Sequence, residues 1–247
     1  MTWVTGSPPA PAAPAARMAW GGEAAEYGRR VRRLMAGLAC WLVQPAYVLV
    51  ELLVAAGASA AYSLRDDTVS ALGMAACSPG HAGSVLEVCS PGHGLINAAF
   101  VAFGLLRAGG AALLRPTLRG GTWGAVAVWL WAASGLAAAA VGLAPVDEQP
   151  GWHVVAALPV FVLQPLAVLA TAGALRRSVV VPSGVWISGG VIAAVTLTAA
   201  AAFGARLGGP TWVGALERAA LWPAYVWLGV VALALLGASR SETVANV

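Results

Sequence analysis

The sequence has no lysine and little charge of either sign. Its 14 basic residues are all arginine, ten residues are acidic, and charged residues make up 10% of the 247 positions. Water-soluble domains carry about a quarter charged residues, so an ordinary soluble enzyme is excluded. Also missing are a glycine-rich phosphate loop, a His-Glu-x-x-His helix and a Gly-x-Ser-x-Gly elbow. Those absences remove the usual sequence signatures of nucleotide binding, zinc proteolysis and α/β-hydrolase chemistry. Cysteine occurs three times, too few for a disulfide framework. What dominates is apolar: 60% of residues are hydrophobic and the mean hydropathy is +0.79.

A helix that crosses a bilayer needs roughly 20 apolar residues, and six such runs are predicted, at 34–56, 94–114, 123–143, 153–175, 185–205 and 219–238. Lipid cannot satisfy open backbone groups, so runs of this length must be helical. The expected fold is an all-α, polytopic integral membrane protein, a six-transmembrane-helix bundle over 34–238. Residues 1–33, with the Pro/Ala stretch Pro8 to Ala16, read as a flexible cytoplasmic tail. Residues 239–247 read as a second tail, and 57–93 as an outer loop. No cleavable signal peptide is expected, because Arg29, Arg30, Arg32 and Arg33 lead straight into a full-length span.

Arginines beside the spans set orientation, since they are retained on the cytoplasmic side. With both termini inside, Arg17, Arg29, Arg30, Arg32, Arg33, Arg115, Arg119, Arg176, Arg177 and Arg240 are cytoplasmic, and only Arg65, Arg206 and Arg218 face out. That imbalance predicts a multi-pass plasma-membrane protein with both ends in the cytoplasm. Arg107 falls within the second span and is expected to snorkel to its cytoplasmic end. The net charge of +4 and pI near 9.4 therefore concern the bilayer, and no nucleic-acid partner is expected. Asp66, Asp67, Glu87, Asp147, Glu148, Glu217 and all three histidines then lie on the outer side.

The outer loop carries a duplication, Cys77-Ser-Pro-Gly-His81 and Cys89-Ser-Pro-Gly-His93. Facing an oxidising compartment, Cys77 and Cys89 are expected to form a disulfide. A Cys/His metal site and free thiols stay open as alternatives. Cys40 reads as a small core residue. Asp67 and Ser70 could cap a short helix, His93 and Asn97 share one face at the start of the second span, Asp147 and His153 flank the fourth, and Glu217 and Arg218 stand before the sixth.

Together, Asp67, Ser70, His93, Asp147 and His153 could form an acid–base or metal-assisted hydrolytic set. The competing reading is a set of caps, loop hydrogen bonds and a salt bridge. No cofactor is firmly implied; a divalent metal such as zinc, on His93, Asp147 and His153, is the weak option. Glu51 is the one acid within the predicted spans, on a face shared with Gln44 and Tyr47. It needs a partner, a proton or a cavity. Trp41, Trp123, Trp152, Trp212 and Trp222 near span ends suit an interfacial belt, while Trp129 and Trp131 lie deeper. Leu42-Val-Gln-Pro-Ala-Tyr-Val-Leu and Val162-Leu-Gln-Pro-Leu-Ala-Val-Leu echo one another, and Pro45, Pro165 and Pro223 read as kinks.

Several segments, in order, resemble a bacterial and archaeal membrane family, domain of unknown function 998. They are Tyr62-Ser-Leu-Arg-Asp-Asp-Thr-Val-Ser-Ala-Leu-Gly73, Asn97-Ala-Ala-Phe-Val-Ala-Phe-Gly104, Gly142-Leu-Ala-Pro-Val-Asp147 with His153, and Leu216-Glu-Arg-Ala-Ala-Leu-Trp222. The likeness covers about Leu34 to Leu236. It implies six membrane helices and no assigned activity, with Asp67, Ser70, Asn97, Asp147, His153, Glu217 and Arg218 at the characteristic polar positions. The Cys-Ser-Pro-Gly-His duplication and the Pro/Ala tail depart from the pattern.

Three functions are compatible with these observations. The first is a lipid- or small-molecule-binding or structural membrane protein with a polar outer vestibule, packed through small residues and partnered by membrane lipid. The second is a membrane-embedded enzyme using the outer Asp/His/Ser group on a lipid-linked or prenyl substrate. The third is a proton-coupled transporter using Glu51, for which six spans would call for a homodimer.

Overall fold

The computed structural model describes residues 13–79, 87–118 and 121–245. Six helical segments are long and apolar enough to cross a membrane: Ala25–Gly57, His93–Leu118, Thr122–Gly142, Pro150–Leu175, Ser183–Arg206 and Val213–Ser239. The all-α bundle is therefore present. Helix α1 spans Ala13–Leu42 and α2 Ala46–Gly57; the short α3 (Val69–Leu72) lies between α2 and α4; α4 to α8 cover His93–Leu118, Thr122–Gly142, Pro150–Leu175, Ser183–Arg206 and Val213–Ala245. Each long helix packs on its sequence neighbour, and α1 packs on both α4 and α8, so the six spans close into a ring.

Helix α1 starts well before residue 34, within the segment expected to be a tail. Helix-favouring alanine and arginine and an exposed Glu26–Arg30 pair one turn apart at 3.2 Å support this extension. Residues 1–12, including most of the Pro/Ala stretch, lie outside the described residues, as does His81.

The first span is broken where Pro45 removes a backbone donor. Around the break the chain tightens to three-residue bonds, with Gln44 N–H donating to Trp41 O and Tyr47 N–H to Gln44 O. The Gln44 side chain donates to the Cys40 carbonyl at 3.2 Å, repairing one bond of the interrupted ladder. Pro165 and Pro223 sit inside continuous helices, α6 and α8. The two Gln-Pro echoes thus differ in backbone but not in burial, because both glutamines are enclosed and both address α4.

Glycine brings α4 and α5 together. A side chain at Gly135 would place its Cβ 2.5 Å from the Gly104 carbonyl, and one at Gly104 would meet Gly135 in the same way. Small residues permit this backbone approach, the main source of packing between helices in lipid. Large apolar side chains such as Leu53, Trp129, Val155 and Leu158 point outward, as lipid-facing positions do.

Two apolar clusters fill the ring. The one toward the arginine-rich end includes Trp41, Leu114, Trp131 and Leu228, and the other includes Tyr47, Phe100, Val160 and Tyr225. Arg107 lies between them. It does not snorkel, as the sequence suggested: its side chain is fully buried, donates to Gln164 Oε1 at 2.7 Å, and lies 4.3 Å from the Tyr225 ring centroid. Depth along a span says nothing about which way a side chain faces, and here the facing helices supply an amide and an aromatic ring. Trp41 likewise leaves the expected belt. It is buried edge-on against Trp131 and donates to the Arg107 carbonyl.

Candidate functional site

The described parts of the connection from α2 to α4 fold as a cap over the helix ends opposite the arginine-rich end. Cys77 and Cys89 are bonded to each other. They staple a short antiparallel pair in which Ser78–Pro79 faces Glu87–Val88. Ser59 fastens the pair to the end of α2, its hydroxyl donating to the Glu87 carbonyl and its N–H to that of Cys89, each at 2.9 Å. Among the described residues, the ligand atoms close enough to share a metal belong to Cys77, Glu87 and Cys89. The sulfurs of that trio are already committed to the disulfide.

Arg218 organises the inner side of the cap. Helix α8 starts at Val213, so Glu217 and Arg218 are not on a loop before the span but in its first turns, and both are buried. Arg218 Nε lies 2.8 Å from Glu51 Oε1, and the Trp222 indole donates to Glu51 Oε2 at 2.8 Å. Arg218 Nη1 donates to the carbonyls of Leu64 (2.7 Å) and Asp67 (2.9 Å), and Nη2 to the Tyr62 hydroxyl. One planar guanidinium with five donors thereby ties the first span, the last span and the cap. Gly214 makes room for it: a Cβ there would fall 2.1 Å from the Asp67 carbonyl. Burial pushes the Tyr62 hydroxyl above its ordinary pKa, against the opposing charge of Arg218.

The short helix α3 is capped by other residues than expected. The Thr68 hydroxyl accepts from Ala71 N–H, and Glu217 Oε2 accepts from Val69 N–H at 2.6 Å. Asp67 instead accepts from Ser63 N–H at 2.7 Å. Its neighbour Asp66 is bonded by Arg65 and by the backbone N–H of Trp212 (2.9 Å), and these donors, Arg65 foremost, hold its carboxyl down at about 2.

Ser70, within α3, meets His153, at the start of α6. Ser70 Oγ is 2.9 Å from His153 Nε2, and His153 Nδ1 is 2.7 Å from the Ala144 carbonyl. A carbonyl only accepts, so Nδ1 carries the proton of the neutral ring and Nε2 is left to accept from Ser70. Ser70 and Glu217 also line a small cavity of about 20 Å³ whose other walls include Phe100, Val141, Phe161 and Tyr225. That is room for about one water molecule.

The remaining candidates are placed elsewhere. Asp147 does not join His153; its Oδ2 accepts from the N–H groups of Ala75 (2.9 Å) and Ala76 (3.0 Å). Burial would raise its pKa, but these donors and those of Asp147 and Glu148 together hold it below the ordinary value. His93 Nδ1 lies 3.0 Å from the Ser90 carbonyl, and Asn97 donates to the Gly73 carbonyl at 2.8 Å. Among the described residues, His93, Asp147 and His153 are not brought within shared metal-ligand reach of one another. Tyr62, Thr68 and Trp222 escaped the sequence reading as site residues. Tyr62 and Thr68 did sit in the motif that begins at Tyr62, and Trp222 closes the one entering the last span.

The family model described as "Protein of unknown function (DUF998)" matches residues 42–234. No curated protein and no solved structure matches the chain.

Proposed function

From the premise that the chain belongs to the DUF998 family, we propose a binding or structural role in the plasma membrane, with both termini in the cytoplasm and a rigid cap outside. The observation that carries this reading is the grip of Arg218 on Glu51, Tyr62, Leu64 and Asp67 at once. A buried ion pair with its remaining donors satisfied by the cap favours a fixed geometry over a moving one. The transporter reading needs a cavity at Glu51, whereas both oxygens of Glu51 face Arg218 and Trp222. Lipid along the exposed helix faces is the corresponding ligand.

The test combines topology and accessibility. Glycosylation or thiol reporters placed in 144–152 should read outside, and a protease added outside should leave the cap intact until Arg218→Gln is introduced. A cytosolic signal from 144–152 would refute the orientation and the cap with it.

A second reading is favoured by one specific contact, that of Ser70 with His153. In it, Ser70 Oγ attacks an ester or thioester carbonyl of a lipid-linked substrate. His153 Nε2 takes the hydroxyl proton and returns it to the leaving group, while Ala144 holds the ring in the required tautomer. A fluorophosphonate probe should label Ser70 in the wild type and fail on Ser70→Ala and His153→Ala. Absence of labelling both in the wild type and in an Arg218→Gln variant with a loosened cap removes this reading and leaves the first intact.

A further inference from the structure

The opposite end of the bundle holds the larger cavity, about 880 Å³, walled by the extension of α1, the ends of α4, α6 and α8, and the turn after α6. That volume is typical of ligand sites, and its lining is amphiphilic. Arg29, Arg30, Arg33 and Arg177 line it with a single acid, Glu26, while Leu34, Leu113, Leu175 and Leu235 form an apolar floor. Glu26 is taken by Arg30 at 3.2 Å. Among the described residues, no hydrogen bond or ion pair engages Arg29, Arg33 or Arg177.

Three uncompensated, solvent-exposed guanidinium groups around one open concavity make a local excess of positive charge. An anion placed there offsets that excess. Each cationic side chain near the headgroup level favours an anionic lipid over a zwitterionic one. The depth selects among phosphates: the cavity lies where the apolar runs of α4, α6 and α8 end, at the level of lipid headgroups, and its floor is continuous with side chains that suit acyl chains. Basic pockets between spans at this level receive anionic headgroups. The same reasoning explains why α1 continues beyond the bilayer, since its extension is one wall of the cavity.

We propose that this arginine-lined cavity binds the phosphate headgroup of an anionic phospholipid, with the acyl chains lying against the leucine floor. The site is separate from the outer cap, and neither reading of the cap is needed for it.

The test uses the full-length chain, purified in detergent, delipidated, and titrated with phosphatidylglycerol or phosphatidylcholine while bound lipid is read by native mass spectrometry. Phosphatidylglycerol should bind preferentially. The Arg33→Gln/Arg177→Gln variant should lose about thirty-fold in phosphatidylglycerol affinity, from about five-fold per arginine near a charged headgroup, with phosphatidylcholine unchanged. Arg33→Lys/Arg177→Lys should retain most of the preference, and Arg206→Gln, at the other end of the bundle, should retain all of it. An intact Cys77–Cys89 bridge and an unshifted melting temperature show that the variants are folded; if the glutamine variant does not fold, the lysine pair and Arg206→Gln decide. Equal binding of the two lipids, unchanged binding in the folded glutamine variant, or loss of preference in the lysine pair overturns the proposal. Full displacement of the lipid by millimolar inorganic phosphate also overturns it, in favour of a soluble phosphate ligand.

Discussion

Glu51 on the first span and Arg218 on the last face each other at 2.8 Å beneath the cap, both shielded from solvent. Removing one member of a buried pair strands the other's charge, at a cost of about 3–5 kcal/mol. Glu51→Ala is therefore expected to lower thermal stability strongly in detergent. Glu51→Leu/Arg218→Met should recover part of that loss, since neither charge of the pair is left stranded while Glu217 stays buried without the neighbouring guanidinium. The double variant should still expose the cap to protease, because Tyr62, Leu64 and Asp67 have lost their shared donor. A Glu51→Ala effect below about 1 kcal/mol would mean that the pair is solvated.

Arg107 and Gln164 should behave asymmetrically. Gln164 Oε1 accepts the closest hydrogen bond of Arg107, at 2.7 Å, and Ser134 is at 3.4 Å. Gln164→Leu keeps the buried cation and removes its best acceptor, whereas Arg107→Met removes the cation itself. Leaving a buried donor without a partner costs more than replacing it with an apolar group of similar shape. Melting temperatures should rank wild type, then Arg107→Met, then Gln164→Leu; the reverse order of the two variants would contradict the burial of Arg107.

Gly135→Leu should separate α4 from α5. Even its Cβ would sit 2.5 Å from the Gly104 carbonyl, a backbone atom that cannot swing aside, whereas Gly109→Leu on the same helix as Gly104 meets nothing within 4 Å. Size-exclusion profiles after detergent extraction should show loss of monodispersity for Gly135→Leu and none for Gly109→Leu.

Asp66 predicts an acid transition of the cap. Its folded pKa of about 2 lies below the ordinary 3.8, so its contribution is complete above about pH 4 and is lost as pH falls through 2. Hydrogen exchange at the Trp212 amide, corrected for intrinsic rates, should be slow above pH 4 and accelerate between pH 4 and 2. Asp66→Asn should exchange faster than the wild type above pH 4, converge with it toward pH 2 and show no such step.

How far the sequence could be read depended on the kind of interaction. The six spans follow from the length of the apolar runs, which lipid forces into helices, and the Cys77–Cys89 bond from two cysteines in one loop expected to face an oxidising compartment. The partners inside the cap do not follow from any period. Ser70 and His153 are both polar residues near span ends, yet their contact depends on how α3 sits against the start of α6. Asp147 was grouped with His153 by proximity in sequence, and backbone donors from Ala75 and Ala76 claimed it instead. Gln44-Pro45 and Gln164-Pro165 look alike as letters, but only the first interrupts its helix.

The circular order of the helices has a bearing on biogenesis. Since every span rests on the one made just before or after it, membrane insertion can assemble the bundle hairpin by hairpin until the final segment emerges and meets the first. The carboxylate waiting on the opening helix then receives its arginine only from the closing one. A truncated or prematurely terminated chain would carry an uncompensated acid in the lipid, a defect that quality-control proteases recognising polar intramembrane residues are equipped to remove.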